Sequence, residues 1–254
     1  MKKFKAIILA AGKGSRLLPL TKNKPKCLVK VKGKSILDRQ ISLLEQMGAS
    51  QIIVVTGYRH QKINNNNIIN IINKDYNTSN MVYSLMLAKK YLTGNVIVSY
   101  GDIVYKPKVL MDLINQKSDI VITSDLNWNE YWSQRFKNPL DDIESFIKGD
   151  NKLVKSLGQK PSSLKKIQGQ FIGLIKFSDF GCREFISAYF ECKNSNDCKL
   201  NAWGSNRKLK LSYMTDILNF LANQNKLYFN ETKRGWVEID NLKDLQIANN
   251  TSWI

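Results

Sequence analysis

The chain contains 254 residues, of which 43% are hydrophobic and 10% are aromatic. This composition supports a substantial buried core and excludes intrinsic disorder, while the length is too short for two independent catalytic domains of ordinary size. No stretch approaches the ~20 consecutive apolar residues that a membrane-spanning helix needs. We therefore predict one soluble globular domain over residues 1–254, without a membrane partner.

The formal net charge of +18 invites a nucleic-acid-binding function, but two features oppose it. Only seven of the 39 basic residues are arginine, whereas proteins that read nucleic acids favour the arginine fork. The lysines are also spread along the chain, which is typical of a solvated surface. We predict no nucleic-acid partner, and a positive field that attracts small polyanions such as nucleoside triphosphates.

Four cysteines in a chain of this length do not make a disulfide scaffold. They show neither a Cys-x-x-Cys pair nor a histidine partner at zinc spacing. The apolar run at 6–11 is shorter than the core of a secretory signal and leads directly into a glycine-rich segment. We therefore expect reduced thiols and a cytoplasmic location. The cysteines are Cys27, Cys182, Cys192 and Cys198.

In the first half of the chain, apolar segments rich in β-branched residues alternate with segments of helical period. This alternation predicts an α/β fold of the Rossmann-like type, with a mostly parallel, mixed sheet covered on both faces. Ser35 is the predicted cap of the first helix and Gly48 its stop. The predicted strands are 4–10, 51–56, 68–72, 96–100 and 119–124, and the predicted helices are 36–47, 80–92 and 107–115.

Beyond residue 125 the pattern loosens, and no clear linker divides the chain. A polar, aromatic stretch at 127–149 is expected to form a smaller insertion, either a hairpin or a mobile lid. The segments that follow are predicted strands at 152–157 and 168–177, a helix at 179–190, a loop at 192–207, a helix at 212–224 and a strand–helix unit at 227–249.

The first strand leads into a glycine-rich loop that ends at Arg16. Its small residues let backbone N–H groups approach an anion, and Lys13 and Arg16 add positive charge. The loop is neither a Walker A motif nor a dinucleotide fingerprint, because Leu17 stands where the third glycine would be. On this spacing alone, a structural glycine-rich turn remains an alternative. A Pro-Lys-Cys-Leu segment that contains Lys26 follows ten residues later.

Taken together, residues 6–39 resemble the signature of the nucleotidyltransferases that make sugar nucleotides and related activated alcohols. In that family the glycine-rich loop, Arg-Leu-x-Pro-Leu-Thr and Pro-Lys-x-Leu occur in this order. The resemblance implies that Arg16 stabilises the leaving pyrophosphate and that Lys26 lies between the α-phosphate and the acceptor. It also implies that the loop binds the nucleotide through Leu9, Ala10, Ala11, Gly12, Lys13, Gly14 and Ser15.

Two later segments extend the resemblance to a metal site. A buried strand ends in Gly101-Asp102, and a second short apolar segment ends at Asp240. By resemblance, Gly101 contacts the nucleotide, and Asp102 and Asp240 bind a metal ion, for which oxygen ligands and a triphosphate favour Mg²⁺. Each aspartate has the alternative role of capping the next helix or turn. Sequence separation does not show that the two aspartates meet.

The middle of the chain is similar to the cytidylyltransferases for phosphocholine and aminoethylphosphonate. This similarity implies that Asn80 and Ser84 bind cytosine, and that Trp132, Arg135 and Asp216 contact the acceptor through aromatic, charge and phosphate interactions. Asn80 as a helix cap, with Ser84 facing solvent, is an equal alternative. The similarity makes residues 1–125 the nucleotide-binding half and 126–254 the acceptor-binding half, which carries the second metal carboxylate.

The implied reaction transfers CMP from CTP to a small phosphorylated amine, amino acid (such as phosphorylated glutamine) or phosphonate, and releases pyrophosphate. The product would serve the modification of a surface polysaccharide, as in a capsule, or of a lipid. A sugar-1-phosphate nucleotidyltransferase that uses UTP, dTTP or GTP is the alternative within the same class. A non-catalytic nucleotide- or nucleic-acid-binding domain is the alternative from a different class. The sequence leaves the oligomeric state open and allows a homodimer.

Overall fold

A computed structural model describes residues 3–254 of the chain. The strands are β1 Phe4–Ala10, β2 Lys30–Val31, β3 Lys34–Ser35, β4 Ala49–Thr56, β5 Ile69–Ile72, β6 Val96–Tyr100, β7 Ile103–Tyr105, β8 Ile120–Asp125, β9 Phe146–Lys148, β10 Val154–Leu157, β11 Gln170–Phe177, β12 Tyr228–Thr232 and β13 Trp236–Glu238. The α-helices are α1 Ile36–Gln46, α2 Met81–Leu87, α3 Pro107–Ile114, α4 Trp128–Arg135, α5 Asp179–Asn194, α6 Asn196–Leu200, α7 Met214–Asn223 and α8 Leu242–Asn250. Among residues 3–254, no helix has the length and apolar character needed to cross a membrane.

The central sheet has seven strands in the order β12-β8-β11-β6-β1-β4-β5. Strand β11 runs antiparallel to both of its neighbours, and the other neighbouring pairs are parallel. The predicted α/β fold with a mostly parallel, mixed sheet is confirmed.

Helices cover both faces of this sheet. Along β1 the side chains of Phe4 and Ile8 join one core, which contains α1 and α3, while those of Ile7 and Leu9 join a second core with α2, α5 and α7. A strand that is buried on both faces needs apolar side chains at every position, which explains the continuous apolar run in the sequence. The two cores hold the sheet rigid beneath its carboxyl edge.

The carboxyl ends of β1 and β6 form a crevice at the centre of the sheet. Strand β1 lies between β4 and β6. The chain continues from β1 to β4 on one side, whereas from β6 it continues to β8 on the other side, and a crevice opens where the two directions diverge. The pairing of Leu9 with Tyr100 brings the two strand ends level, and Gly101 N–H donates to Leu9 O over 2.9 Å. The glycine-rich loop and Asp102 therefore emerge side by side.

A small antiparallel sheet brings the end of the chain to the same crevice. Strand β13 pairs with β7, and Glu238 lies opposite Ile103. The backbone N–H of Ile239 donates to Asp102 O over 2.9 Å. The sequence did not predict β7, because a strand of three residues is too short to show a period. Its pairing is nevertheless what places Asp240 beside Asp102.

Several boundaries differ from the prediction because tertiary contacts, rather than local pattern, end the elements. The helix predicted at 80–92 ends at Leu87 and continues as a 3₁₀ turn at Lys89–Tyr91. The stretch predicted as a hairpin or lid at 127–149 contains α4 and β9, and the loop predicted at 192–207 contains α6. The functional division at residue 125 stays a prediction.

The expectation of reduced thiols is wrong for one pair of cysteines. Cys192 and Cys198 form a disulfide, whereas Cys27 and Cys182 are free and buried. The turn between α5 and α6 brings the two Cα atoms to 5.0 Å, which a disulfide requires and which sequence spacing did not reveal. The cytoplasmic location stays a prediction.

The cap of α1 provides a test of the local structure. Ser35 Oγ accepts from the N–H of Asp38 over 3.0 Å, as predicted, and Gly48 follows the helix with a φ of 85°. Ser35→Ala should lower the free energy of unfolding by about 1 kcal/mol, which is roughly 2–4 °C in the thermal midpoint. Ser42→Ala, within the same helix, is the control and should change the midpoint less. Equal midpoints for both variants would contradict the capping role.

Candidate active site

A cleft of about 280 Å³ opens at the carboxyl ends of β1 and β6. It contains every predicted nucleotide-binding residue except Lys13, whose ammonium lies beside the cleft, 6.0 Å from the centre of the Tyr76 ring. It also contains the two predicted catalytic residues and both predicted metal ligands. The lining residues that the sequence predicted are Leu9, Ala10, Ala11, Gly12, Gly14, Ser15, Arg16, Lys26, Asn80, Ser84, Gly101, Asp102 and Asp240.

The glycine-rich loop is shaped to hold Lys26. Gly14 has a φ of 67°, and a Cβ atom at this position would lie 2.8 Å from Lys26 Cβ. Thr21 Oγ1 donates to Gly14 O over 2.8 Å and fixes the turn. At the other side, a Cβ atom on Gly101 would lie 2.7 Å from Leu9 O. These close approaches explain why both positions need glycine.

The ammonium of Lys26 lies between Asp102 and Asp240. Lys26 Nζ donates to Asp102 Oδ2 over 2.6 Å and also to Asp240 Oδ1. Burial disfavours the charged amine, but the two carboxylates outweigh burial and raise the pKa of Lys26. Burial acts against the Asp240 carboxylate as well, yet Lys26 and Arg16 lower its pKa below the ordinary value. Lys26 is therefore charged at neutral pH, and it offsets part of the negative charge of the two aspartates.

Three carboxylates in this cluster suit a divalent cation. One oxygen each from Asp102, Glu238 and Asp240 lies within 4.8 Å of the other two. Asp102 Oδ1 is buried and, among residues 3–254, has no hydrogen-bond partner, so it is available as a ligand. Carboxylate oxygens are the ligands that Mg²⁺ prefers. The helix-cap alternative for Asp240 is wrong, because Asn241 caps α8.

Glu238 is a member of the cluster that the sequence did not predict. Burial, reinforced by the charge of Asp240, raises the pKa of Glu238 to about 8, although Arg135 acts in the opposite direction. The sequence does contain one signal for Glu238, which is its position two residues before Asp240. Alternate residues of an extended segment share a face, so the two carboxylates point the same way.

The guanidinium of Arg135 lies behind the carboxylates and has no exposed surface. It pairs with Asp244 through Nε at 2.9 Å and Nη2 at 3.1 Å. Its other contacts are Glu238 Oε2 at 2.6 Å and Asp240 Oδ2 at 3.4 Å. Asp244 also accepts from the backbone N–H of Asp240 over 3.0 Å. Because these groups occupy its donors, the contacts favour a positioning role, and acceptor binding by Arg135 stays a prediction.

The inner end of the cleft is polar. Asn80 Oδ1 accepts from the N–H of Met81 over 2.8 Å, so Asn80 caps α2 and also lines the cleft. Ser84 is 5% exposed and faces the cleft, so its alternative position towards solvent is wrong. Asn73 and Ser79 lie beside it, and the sequence did not single out either residue for this role. Base recognition by Asn80 and Ser84 stays a prediction.

A second cavity of about 230 Å³ adjoins the first, and Met81 lines both. Its walls are aromatic and acidic. Burial raises the pKa of Glu144 to about 7, while the hydroxyl of Thr215, which donates over 3.3 Å, opposes this shift. The aromatic members are Tyr100, Trp132, Phe171, Tyr213 and Trp236, and the acidic members are Asp142, Glu144 and Glu238.

Two of the predicted acceptor residues differ in their relation to this cavity. Trp132 lines it, whereas Asp216 lies outside its wall. The Asp216 carboxylate accepts from Arg207 Nη1 over 2.9 Å and from the N–H of Tyr213 over 2.8 Å, which caps α7. Its neighbour Thr215 faces the cavity instead. The predicted acceptor contacts of both residues stay predictions.

Comparison with known proteins supports the predicted resemblance. A model of the MobA-like NTP transferase domain matches residues 6–160. The CTP:phosphoglutamine cytidylyltransferase of Campylobacter jejuni is 38% identical over 254 residues, which cover 95% of this chain and 98% of that protein. The choline-phosphate cytidylyltransferase of Streptococcus pneumoniae is 35% identical over 114 residues, or 43% of this chain and 50% of that protein.

Solved structures show the same fold. The CTP:phosphocholine cytidylyltransferase of Streptococcus pneumoniae superimposes with a TM-score of 0.72 and covers 98% of both chains at 22% identity. The similarity extends over nearly the whole chain, including segments beyond residue 160. The nucleotidyltransferase resemblance and the Rossmann-like fold predicted from the sequence are both confirmed.

The position of Lys26 predicts a link between stability and divalent cations. Lys26→Met keeps an unbranched side chain but leaves Asp102 and Asp240 to repel each other. We expect the free energy of unfolding in metal-free buffer to fall by about 2 kcal/mol, or roughly 4–8 °C in the thermal midpoint. Added Mg²⁺ should raise the midpoint of the variant more than that of the wild type, because the cation takes over the neutralising charge.

The control for this measurement is Lys108→Met. Lys108 pairs with Asp112 on the surface, at 75% exposure, and this pair should contribute little. A Lys26→Met protein that is as stable as the wild type without Mg²⁺ would contradict the neutralising role of Lys26.

Proposed function

Because the chain belongs to the MobA-like NTP transferase family, we propose that it transfers CMP from CTP to a small phosphorylated acceptor that carries an ammonium group, such as phosphorylated glutamine. The observation that carries this proposal is the junction of the two cavities. The cleft with the glycine-rich loop meets an aromatic and acidic cavity at Met81. A nucleotide and an acceptor bound in them would meet beside the carboxylate cluster.

The proposed reaction is an in-line displacement at phosphorus. An oxygen of the acceptor phosphate attacks the α-phosphorus of CTP, the bond from that phosphorus to the bridging oxygen breaks, and pyrophosphate leaves. Both reactants are anionic, so positive charge and alignment are the main requirements for catalysis. No covalent intermediate on the protein is needed.

The side chains around the cleft supply this charge. Lys26 is held in the cleft of the glycine-rich loop by Asp102 and Asp240, and its ammonium can turn from these carboxylates to the α-phosphate and the attacking oxygen. Arg16 is 58% exposed at the rim and pairs with Asp240 at 3.1 Å, from where it can reach the leaving pyrophosphate. Asp102 and Asp240, with Glu238 nearby, would hold Mg²⁺, which supplies charge neutralisation of the phosphates when bound.

The second cavity suits an ammonium-bearing acceptor. The aromatic faces attract a cation, and the carboxylates provide hydrogen-bond acceptors for it. The two relatives are named for phosphoglutamine and choline phosphate, which supports the same class of acceptor for this chain. The cavity volume of about 230 Å³ favours a small acceptor over a polymer.

Pyrophosphate release tests the proposal directly. The wild-type protein with Mg²⁺ and CTP should release pyrophosphate when phosphorylated glutamine or phosphocholine is added, and should do so less with UTP, dTTP or GTP. Asp240→Asn should reduce turnover by at least about a hundredfold, because it removes a charge from both the Lys26 contact and the metal site. Asp112→Asn, on a partly exposed carboxylate outside both cavities, is the control. Release with sugar 1-phosphates alone would overturn the acceptor assignment.

The raised pKa of Glu144 predicts a pH dependence of acceptor binding. Glu144 is largely neutral below about pH 7 in the free protein, and an ammonium group needs its ionised form. The KM for the acceptor should therefore rise as the pH falls from about 8 to 6, while that for CTP changes less.

Glu144→Gln separates this effect from the titration of the acceptor. The variant should raise the acceptor KM about tenfold at pH 8. It should also lose the part of the pH dependence of this KM that comes from the ionisation of Glu144. The acceptor phosphate also titrates near pH 6, but it does so equally with both proteins. Identical pH profiles of KM for the wild type and Glu144→Gln would contradict the role of Glu144.

A further inference from the structure

Asn73, Ser79 and Ser84 form a hydrogen-bond chain at the inner end of the cleft, and the donor and the acceptor of each of its bonds can be assigned. Asn73 is 1% exposed, and its Oδ1 accepts from the backbone N–H of Asp75 over 2.9 Å. Because a backbone N–H can only donate, this contact identifies the oxygen of the amide and turns the nitrogen the other way. Asn73 Nδ2 therefore donates to Ser79 Oγ and Ser84 Oγ, each at 3.0 Å.

The direction of this chain leaves Ser84 with a proton to donate. Ser79 uses its own proton in a hydrogen bond to Asp75 O over 2.8 Å. The Ser84 hydroxyl accepts from Asn73, lines the cleft, and within the described residues its proton has no assigned acceptor. Ser84 thus faces the cleft as a hydrogen-bond donor.

A second donor lies one helical turn away. Asn80 Oδ1 is held by the N–H of Met81, so its Nδ2 group is the end that is available to a ligand. Residues four apart share one face of a helix end, so Asn80 and Ser84 present their donors side by side. The cleft therefore offers two neighbouring donors to one edge of a base.

Resting on the proposed nucleotidyltransferase function, we propose that Asn73 determines base selectivity by holding Ser84 as a hydrogen-bond donor. Cytosine carries two adjacent acceptors, O2 and N3, which match the donors of Asn80 and Ser84. Uracil has N3–H at the second position, so a donor meets a donor and one buried polar group loses its partner. Guanine and thymine carry an N–H at the equivalent position. Asn73 is a positioning residue in this scheme, since it acts through Ser84.

Asn73→Asp tests the direction of the chain with little change in shape. The new carboxylate can still accept from the N–H of Asp75, but it accepts from the Ser84 hydroxyl instead of donating to it. Ser84 then offers only lone pairs to the base, which suits the N3–H of uracil. In calorimetric titrations with Mg²⁺ and no acceptor, the preference for CTP over UTP should fall by about tenfold or more.

Two further variants keep the result interpretable. Asn77→Asp adds the same charge to the same segment at an exposed position, and it should leave the ratio of the two dissociation constants unchanged. Ser84→Ala removes the donor itself, and it should bring the two constants close to each other even if Asn73→Asp does not fold. Thermal unfolding without nucleotide shows whether each variant is folded.

The outcomes separate this inference from the proposed function. A wild-type protein that binds neither CTP nor UTP would overturn the proposed function. A wild-type protein that prefers CTP, with a folded Asn73→Asp variant that keeps the same preference, would overturn the inference alone. Equal binding of CTP and UTP by the wild type would also overturn the inference, while nucleotide binding itself would stand.

Discussion

The ion cluster of Lys26, Asp102 and Asp240 is the interaction on which the rest of the active site depends. Lys26 is 76 residues from Asp102 and 214 residues from Asp240, so the cluster joins distant parts of the chain. Two carboxylates at metal-binding distance repel each other, and partial burial strengthens that repulsion. The ammonium offsets both costs. The lysine thus allows the two carboxylates to stay close together in the protein by itself, and it places a positive charge inside the cleft.

A second layer of contacts fixes the carboxyl end of β13. The hydroxyl of Tyr131 accepts from the N–H of Glu238 over 2.8 Å and donates to Glu238 O over 3.1 Å, while its ring packs against Trp236. Arg135, from the same helix, pairs with Glu238 and Asp244. Buried charges are tolerated when every partner is satisfied, and here α4 satisfies them. The aromatic and basic residues of α4 therefore support the carboxylate cluster, while one of them, Trp132, also lines the second cavity.

The two cavities differ in their physical character. The cleft of the glycine-rich loop is built from backbone and small residues, which allow the close approach of an anion, with positive charge at its rim. The second cavity has aromatic walls that exclude water, which is why burial raises the pKa values of Glu144 and Glu238. Glu238 belongs both to this cavity and to the carboxylate cluster. A change at this one side chain therefore reaches both the second cavity and the carboxylate cluster.

By itself, the sequence determined the α/β class, the glycine-rich loop, the strand that precedes Asp102 and the capped first helix. These features are local: period, turn chemistry and helix caps act within a few residues. It also identified Lys26, Arg16 and the two aspartates as candidate site residues, because the segments that contain them resemble motifs of a known family.

Only the tertiary structure decided which of these residues meet. The pairing of β7 with β13 brings Asp240 to Asp102, the fold of α4 buries Arg135, and the chain reversal after α5 joins Cys192 to Cys198. The hydrogen-bond direction at Asn73 likewise depends on contacts with Ser79 and Ser84, which a one-dimensional pattern does not contain. Distances between remote residues follow from packing and strand register, and neither is visible in local sequence period.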